Sequence, residues 1–366
     1  MGARRQSAPR GLQGGRRLKP LIVIDADVLG RRRTGDETYV RALLRELAPL
    51  ADRERLAAVT RRPELVPSGV EPIALPGESQ VARMAFRLPR LLRRLRPTVA
   101  HFNYVIPPGY RGRSVVTVHD LSFEQHPELM PFRDRLLFRT LVPRSVARAD
   151  RVLAVSEWTK RDLIERYGVA EGKIVVTPNG VDEVFSPNGS APTRPPYALF
   201  VGAIQPRKDP LTALEALALL DDDLGLVVVG PEKRGADEVR AAVRRLGLGA
   251  RVEFAGHVEL DELAALYRGA ACLVFPSRYE GFGLPVLEAM ASGTPVVAAA
   301  TGALPEIAGD AAVLVEPADP AALAGGIERA LADRERLVAA GLERARGFSW
   351  AESARRTLDV YRELTE

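Results

Sequence analysis

The sequence predicts an α/β chain of two doubly wound, Rossmann-like parallel-sheet domains facing one another across a cleft. Three observations predict it. Short apolar runs alternate with longer amphipathic segments through both halves, the rhythm of parallel sheets covered by helices. A stretch from Ser186 to Pro196 breaks that rhythm with four prolines, a glycine and two serines, and reads as a linker. The 366 residues, 46% of them apolar, can supply two cores of ordinary size. The expected organisation is a basic tail over 1–19, a first domain over 20–185 and the linker over 186–196. A second domain follows over 197–348, and a closing helix over 349–366.

Composition narrows the function classes. No apolar run reaches 18 residues, so no membrane span is expected. Residues 1–19 carry six basic side chains and no acid. They lack the apolar stretch of a secretion signal and read as a disordered tail. The single cysteine, Cys272, falls in an apolar run and has no partner for an internal disulfide, which suits the cytoplasm. Residues 20–185 hold 27 basic and 21 acidic side chains, whereas 186–366 hold 19 and 26. Only the first half would face an anionic surface, which argues against a nucleic-acid binder.

The first half opens with the strand Leu21-Ile22-Val23-Ile24, ending at Asp25 and Asp27. A D-x-D pair invites metal chemistry, but it lies far in sequence from the glycine loop described below, so no metal is assigned. Gly35 opens a helix with Val40, Leu43, Leu44 and Leu47 on one face. Residues 82–96 carry six arginines and no acid, with Leu88, Leu91, Leu92 and Leu95 at helical spacing. This reads either as a helix packed on its own sheet or as a basic amphipathic helix touching an anionic membrane. Two strands follow, Val99–Phe102 and Ser114–Val118, the second ending at His119-Asp120. Ligands in such sheets bind beyond the carboxyl ends of strands, so His119 is a candidate site residue; the alternative is a polar turn. Ser156 caps a helix over 157–167 that stops at Gly168.

The second half begins with the strand Tyr197–Gly202. Arg207 and Lys208 follow, just before a helix, where they are placed to neutralise a pyrophosphate. The strands Leu226–Pro231 and Val252–Val258 come next, then the apolar run Ala271–Phe275. After it stands Arg278-Tyr279-Glu280-Gly281-Phe282-Gly283-Leu284-Pro285-Val286-Leu287-Glu288-Ala289-Met290. Strand, glycine loop and helix start, with Pro285 in the first turn, make an anion site of free amides and helix dipole. The glycines are expected to let the backbone approach a ligand. Glu280 and Glu288 frame the loop and suit the hydroxyls of a sugar or ribose better than a phosphate. Their plainer reading is a loop cap and a helix-dipole carboxylate.

The stretch Glu280-Gly281-Phe282-Gly283-Leu284-Pro285-Val286-Leu287-Glu288 resembles the signature of the retaining glycosyltransferases of family 4 (glycosyl transferases group 1), which have the GT-B fold. The resemblance extends over about residues 20–365, loosest in the first domain. It implies that Glu280 contacts the donor sugar, Glu288 the nucleotide ribose and His119 the donor sugar. Arg207 and Lys208 would hold the donor phosphates, with amides of Gly281, Phe282, Gly283 and Leu284 around them. Gly202, Gly256 and Val258 would line the nucleotide site, and Gly35 would stand in the loop that meets donor phosphate and acceptor. Two departures stand out: Ala203 replaces a frequent Arg, and Asp36-Glu37-Thr38 replaces a second Gly and an Arg. The implied activity is metal- and cofactor-free transfer of a hexose from a nucleotide sugar to a glycan or lipid-linked acceptor. Gln205-Pro206-Arg207-Lys208-Asp209 and the His119 segment resemble mannosyl-transferring members, which favours GDP-mannose and leaves UDP-sugars open. The alternatives are a non-catalytic nucleotide-sugar-binding or regulatory protein of this fold, or a phosphorylase-like enzyme.

Overall fold

A computed structural model describes residues 19–31, 35–129, 132–221 and 223–366. The basic tail, apart from Lys19, lies outside the described residues.

The first sheet holds β1 (Leu21–Asp25), β2 (Arg55–Thr60), β3 (Glu71–Ala74), β4 (Val99–Asn103), β5 (Ser114–Val118), β6 (Arg151–Ala154) and β7 (Ile174–Val176). Their order is β3-β2-β1-β4-β5-β6-β7, and every pairing is parallel. The second sheet holds β8 (Tyr197–Val201), β9 (Gly225–Val229), β10 (Val252–Gly256), β11 (Cys272–Phe275), β12 (Val296–Ala299) and β13 (Val313–Val315). Its order is β10-β9-β8-β11-β12-β13, again all parallel. The central strands are continuous apolar runs because helices cover both faces of each sheet. Each sheet accordingly has two buried clusters, one per face.

Strand order reverses between β1 and β4 in one sheet and between β8 and β11 in the other. Crevices open beyond the carboxyl ends of strands at such points. Asp25, Asn103, Gly202 and Ser277 therefore sit at or just past the two switch points.

The last helix, Trp350–Thr365, packs on the helix Gly35–Leu50 of the first domain. Trp350, Leu358 and Tyr361 join the core of the first sheet. The Tyr361 hydroxyl bonds His101 Nδ1 at 2.5 Å. This crossing carries the chain's end from the second sheet back to the first.

Residues 82–96 do not form one helix. A π-turn over Arg83–Arg87 precedes the helix Leu88–Leu95, with Pro89 in its first turn. Arg83 is buried and forms ion pairs with Asp25 and Asp27, so one of the six arginines points inward. The D-x-D carboxylates are likewise engaged: Arg61 Nη2 meets Asp27 at 2.7 Å and Arg31 meets it at 3.2 Å. Buried carboxylates need such partners to remain charged. Among the described residues, no helix is long and apolar enough to cross a membrane.

Candidate active site

The carboxyl ends of β8 and β11 supply the core of the site. Gly202 leaves β8 with φ +152°, and a Cβ placed there would meet the aliphatic stem of Lys208 at 3.4 Å. A single 3-10 turn, Pro206–Lys208, carries Arg207 and Lys208. It is stitched to the next loop by Arg278 N–H donating to the Arg207 carbonyl at 2.9 Å. Arg207 Nη1 donates to the Tyr279 carbonyl at 2.7 Å. The Lys208 ammonium also lies 4.9 Å from the centre of the Phe275 ring.

Both cations converge on Glu280. Lys208 Nζ pairs with its Oε1, and Arg207 Nη1 lies 3.2 Å from its Oε2. Burial pushes the Glu280 carboxyl up, but Lys208 and Arg207 outweigh it and hold the group at about 2. Burial lowers Lys208 against the opposing pull of Glu280. Two cations on one carboxylate leave a local excess of +1, partly offset by Asp120, whose charge acts on both cations. That is a site an anion can enter and where its charge counts for more than in water.

The helix Leu284–Ala291 begins beside this cluster, with Gly283 at its N-cap (φ +105°) and Pro285 in its first turn. Glu288, one turn in, accepts a hydrogen bond from the Tyr267 hydroxyl at 2.8 Å. Tyr267 is fully buried and shares its core cluster with Val258, Phe282 and Leu287. Leu284 packs against the cores of both domains. Gly256 ends β10 with φ +66°, and a side chain there would meet nothing nearby. Gly35 is also open, at the first residue of its helix.

The two motif glycines have a reason the sequence did not show. A Cβ on Gly281 would run into the main-chain carbonyl of His119, and one on Gly283 into the Leu304 side chain. The space each glycine leaves is filled by protein, not held for a ligand. Gly281 is where the domains meet. Its carbonyl accepts hydrogen bonds from Ser156 Oγ (2.7 Å) and Thr159 Oγ1 (3.3 Å) of the first domain. Tyr279 Oη donates to Asp162 at 2.6 Å. Glu306 accepts from the Glu157 and Trp158 amides at 2.9 and 2.8 Å, capping a first-domain helix from the second domain.

His119 therefore stands directly against the Gly281 turn. It is half-buried, with Tyr39 and Tyr104 at its ring, centroids 4.8 and 5.4 Å away. Burial lowers its pKa, while Asp36 and Asp120 pull the other way. Its Nε2 bonds Asn103 Oδ1 at 3.0 Å, and Asn103 Nδ2 donates to the Asp25 carbonyl at 3.3 Å. A carbonyl only accepts, so the Asn103 amide has one orientation and its oxygen must face His119. His119 then carries its proton on Nε2, leaving Nδ1 as a lone pair. Asp120, by contrast, binds the Ser122 amide and hydroxyl, shaping the turn rather than the imidazole.

Glu37 is committed to structure: it accepts from the Gly30 amide at 2.9 Å and pairs with Arg41. Of the Asp36-Glu37-Thr38 segment, Asp36 is the member whose charge reaches His119. Sequence reading missed Asn103, Tyr39, Tyr104, Tyr267 and Glu306. Asn103 was findable, since it ends a strand at the switch point by the rule that picked out His119. The tyrosines and Glu306 reach the site through tertiary contacts with no local sequence signature. No group of three or more His, Cys, Asp or Glu among the described residues is arranged to hold a metal ion.

The sequence matches two family descriptions that together cover most of the chain. "Glycosyl transferases group 1" matches residues 182–344 and "Glycosyltransferase Family 4" matches residues 33–185. The O-antigen chain mannosyltransferase B of Escherichia coli is 31% identical over 280 residues, 72% of this chain and 73% of that protein. The D-inositol 3-phosphate glycosyltransferase of Nocardia farcinica is 37% identical over 239 residues, 59% of this chain and 53% of that protein. Among solved structures, the sucrose-phosphate synthase of Thermosynechococcus elongatus superposes with a TM-score of 0.79 at 26% identity. That match covers 95% of this chain and 99% of the other.

Proposed function

The chain belongs to glycosyltransferase family 4 and is a glycosyltransferase of the GT-B fold; from that premise we propose that it transfers mannose from GDP-mannose. The acceptor in this reading is a glycan or a lipid-linked sugar, and the anomeric configuration is retained. The observation that carries the proposal is the convergence of Arg207, Lys208 and Glu280 beside the helix start at Leu284.

The bond that breaks joins the anomeric carbon to an oxygen of the diphosphate. Negative charge grows on the leaving phosphate as the bond lengthens. Arg207, Lys208 and the amides at the start of Leu284–Ala291 meet that charge in a buried setting, with no metal or cofactor in the scheme. The diphosphate competes with Glu280 for the same two cations. Once released, the Glu280 carboxylate accepts a hydrogen bond from a hydroxyl of the donor sugar. Glu288, oriented by Tyr267, takes the ribose hydroxyls. His119 faces the sugar from the first domain, with Asn103 fixing its tautomer. The acceptor hydroxyl attacks from the face the leaving phosphate occupies, and that phosphate oxygen takes its proton. Retention itself is supported by the family resemblance. Mannose is supported by the Escherichia coli relative and by the Gln205–Asp209 segment. The reaction would run in the cytoplasm, at the inner face of the membrane.

Two measurements test this reading. Thermal shift with GDP and UDP should show stabilisation by GDP, about 2.7 kcal/mol at a hundredfold excess over Kd. A panel of GDP- and UDP-sugars with soluble and lipid-linked acceptors should then give mannose transfer. Stabilisation by UDP alone would move the donor to a UDP-sugar. Stabilisation without transfer to either acceptor class would point to a binding protein of the same fold.

A further inference from the structure

Just past the end of β4 the backbone is strained. Tyr104 has φ +61°, a left-handed conformation that bulky side chains rarely adopt. Its N–H still continues the sheet, donating to the Thr117 carbonyl at 2.9 Å. The Val105 N–H then folds back onto the Asn103 carbonyl at 2.7 Å, closing a three-residue turn with Tyr104 at its centre. With positive φ this is the rare form of such a turn. Glycine would occupy the centre at little cost, so the reason for tyrosine lies in its side chain.

The turn changes what the strand end presents. Successive residues of a regular strand face opposite ways. Here Asn103 and Tyr104 reach the same imidazole. Asn103 Oδ1 bonds His119 Nε2 at 3.0 Å, and the Tyr104 ring centre lies 5.4 Å from that of His119. Phe138 packs edge-on against the tyrosine ring, also at 5.4 Å. The Tyr104 oxygen accepts from the Asp120 amide at 3.2 Å. Among the described residues the hydroxyl proton has no acceptor, so Tyr104 brings an unused donor to the cleft. Burial pushes its pKa well above the ordinary tyrosine range, and Asp120 and Asp36 add to the rise, so the proton stays on. Arg207 acts on the same group from the second domain, in the opposite sense.

A second group completes the pattern. Asp36 stands in the first turn of the helix Gly35–Leu50, one turn before Tyr39 on the same face. The Tyr39 ring meets His119 edge-on at 4.8 Å. Asp36 is half-buried, and among the described residues its carboxylate has no hydrogen-bond or ion-pair partner. Arg31 of the preceding loop is turned to Asp27 at 3.2 Å. The Asp36 charge reaches both His119 and Tyr104. One free donor and one free acceptor thus stand near one imidazole. Sugar hydroxyls both accept and donate, and they match that pair. A phosphate would meet the charges of Asp36 and Asp120.

We propose that Tyr104 and Asp36 are specificity residues for the transferred sugar, the Tyr104 hydroxyl donating to one of its hydroxyl oxygens and the Asp36 carboxylate accepting from a hydroxyl. The strained turn delivers the phenol to that sugar. The first domain thereby reads the sugar's hydroxyls, beside Glu280 from the second. The inference deepens the proposed function and rests on it.

The test is calorimetry of the full chain with GDP, with GDP-mannose and with GDP-mannose analogues that each lack one hydroxyl. The parent, Tyr104→Phe and Asp36→Asn are compared. Each substitution should weaken GDP-mannose about tenfold, the scale of one hydrogen bond, and leave GDP within about threefold of the parent. One analogue should bind the parent about tenfold more weakly than GDP-mannose does, yet lose nothing further in Tyr104→Phe, because the same bond is already gone. Equal losses for GDP and GDP-mannose would show that Tyr104 only braces the His119–Asp120 segment, and would overturn the proposal. So would an unchanged GDP-mannose affinity in either variant, or analogue losses that all add in full to the substitution. Binding of UDP and UDP-glucose in place of the GDP pair would overturn the donor reading alone, and the same contrast is then read on that pair. A parent that binds neither pair would sink both.

Discussion

Glu280 lies between two cations that a diphosphate would also seek. In the proposed scheme the carboxylate both competes with the donor and serves it once displaced. Replacing it by Gln should therefore split binding from turnover. GDP should bind Glu280→Gln more tightly, by about tenfold, because an opposing charge is removed from the buried site. Turnover should fall by about 100-fold, the cost of losing one charge-bearing catalytic contact. Calorimetry and initial rates on the same preparation check both, and a loss of GDP affinity would contradict the exchange. Asn103 offers a second test. His119 is lowered by burial, so it is neutral at pH 7, and the acid limb of the pH–rate profile should lie below about 6.5. Asn103→Asp puts a carboxylate at the imidazole, which favours the protonated form. The facing charges are Asp36 and Asp120, which already pull upward. The acid limb should move to higher pH; an unmoved limb would remove His119 from the active form.

At the scale of elements, the β11 strand, its glycine loop and the helix Leu284–Ala291 were legible because each step has a local cause. Apolar residues make a buried strand, Pro276 ends it, and Pro285 starts the helix. The helix Glu157–Tyr167 was equally readable, with Ser156 accepting from Thr159 N–H at its start and left-handed Gly168 at its end. The reason for Gly281 was not legible, because the group that forbids a side chain there is the His119 carbonyl, 162 residues earlier. Nor did the arginine count over 82–96 reveal that Arg83 turns inward to Asp25, since an ion pair between distant segments leaves no periodic trace. Gly281→Ala tests the first point. The added methyl meets main chain and not a flexible side-chain end, so the domains must shift apart. We expect about 1–3 kcal/mol of lost stability, read by denaturant unfolding, together with loss of turnover. Unchanged stability and turnover would show that the junction yields freely.

The whole molecule places two switch points face to face, one bringing His119 and Asn103, the other Arg207, Lys208 and Glu280. The closing helix Trp350–Thr365 returns to the first domain, and Glu306 and Tyr279 bind the second domain to the first near the cleft. The charge asymmetry between halves becomes spatial here, since the basic excess belongs to the domain that carries His119 and Asn103. The account stands or falls on whether the buried cations hold the donor's diphosphate. The most direct measurement is the rate of mannose transfer from GDP-mannose by Lys208→Ala beside the parent chain. The account predicts a loss of at least about 100-fold in kcat/KM with the fold intact. A loss of less than about threefold, well under the energy of one charge-assisted contact, would contradict it.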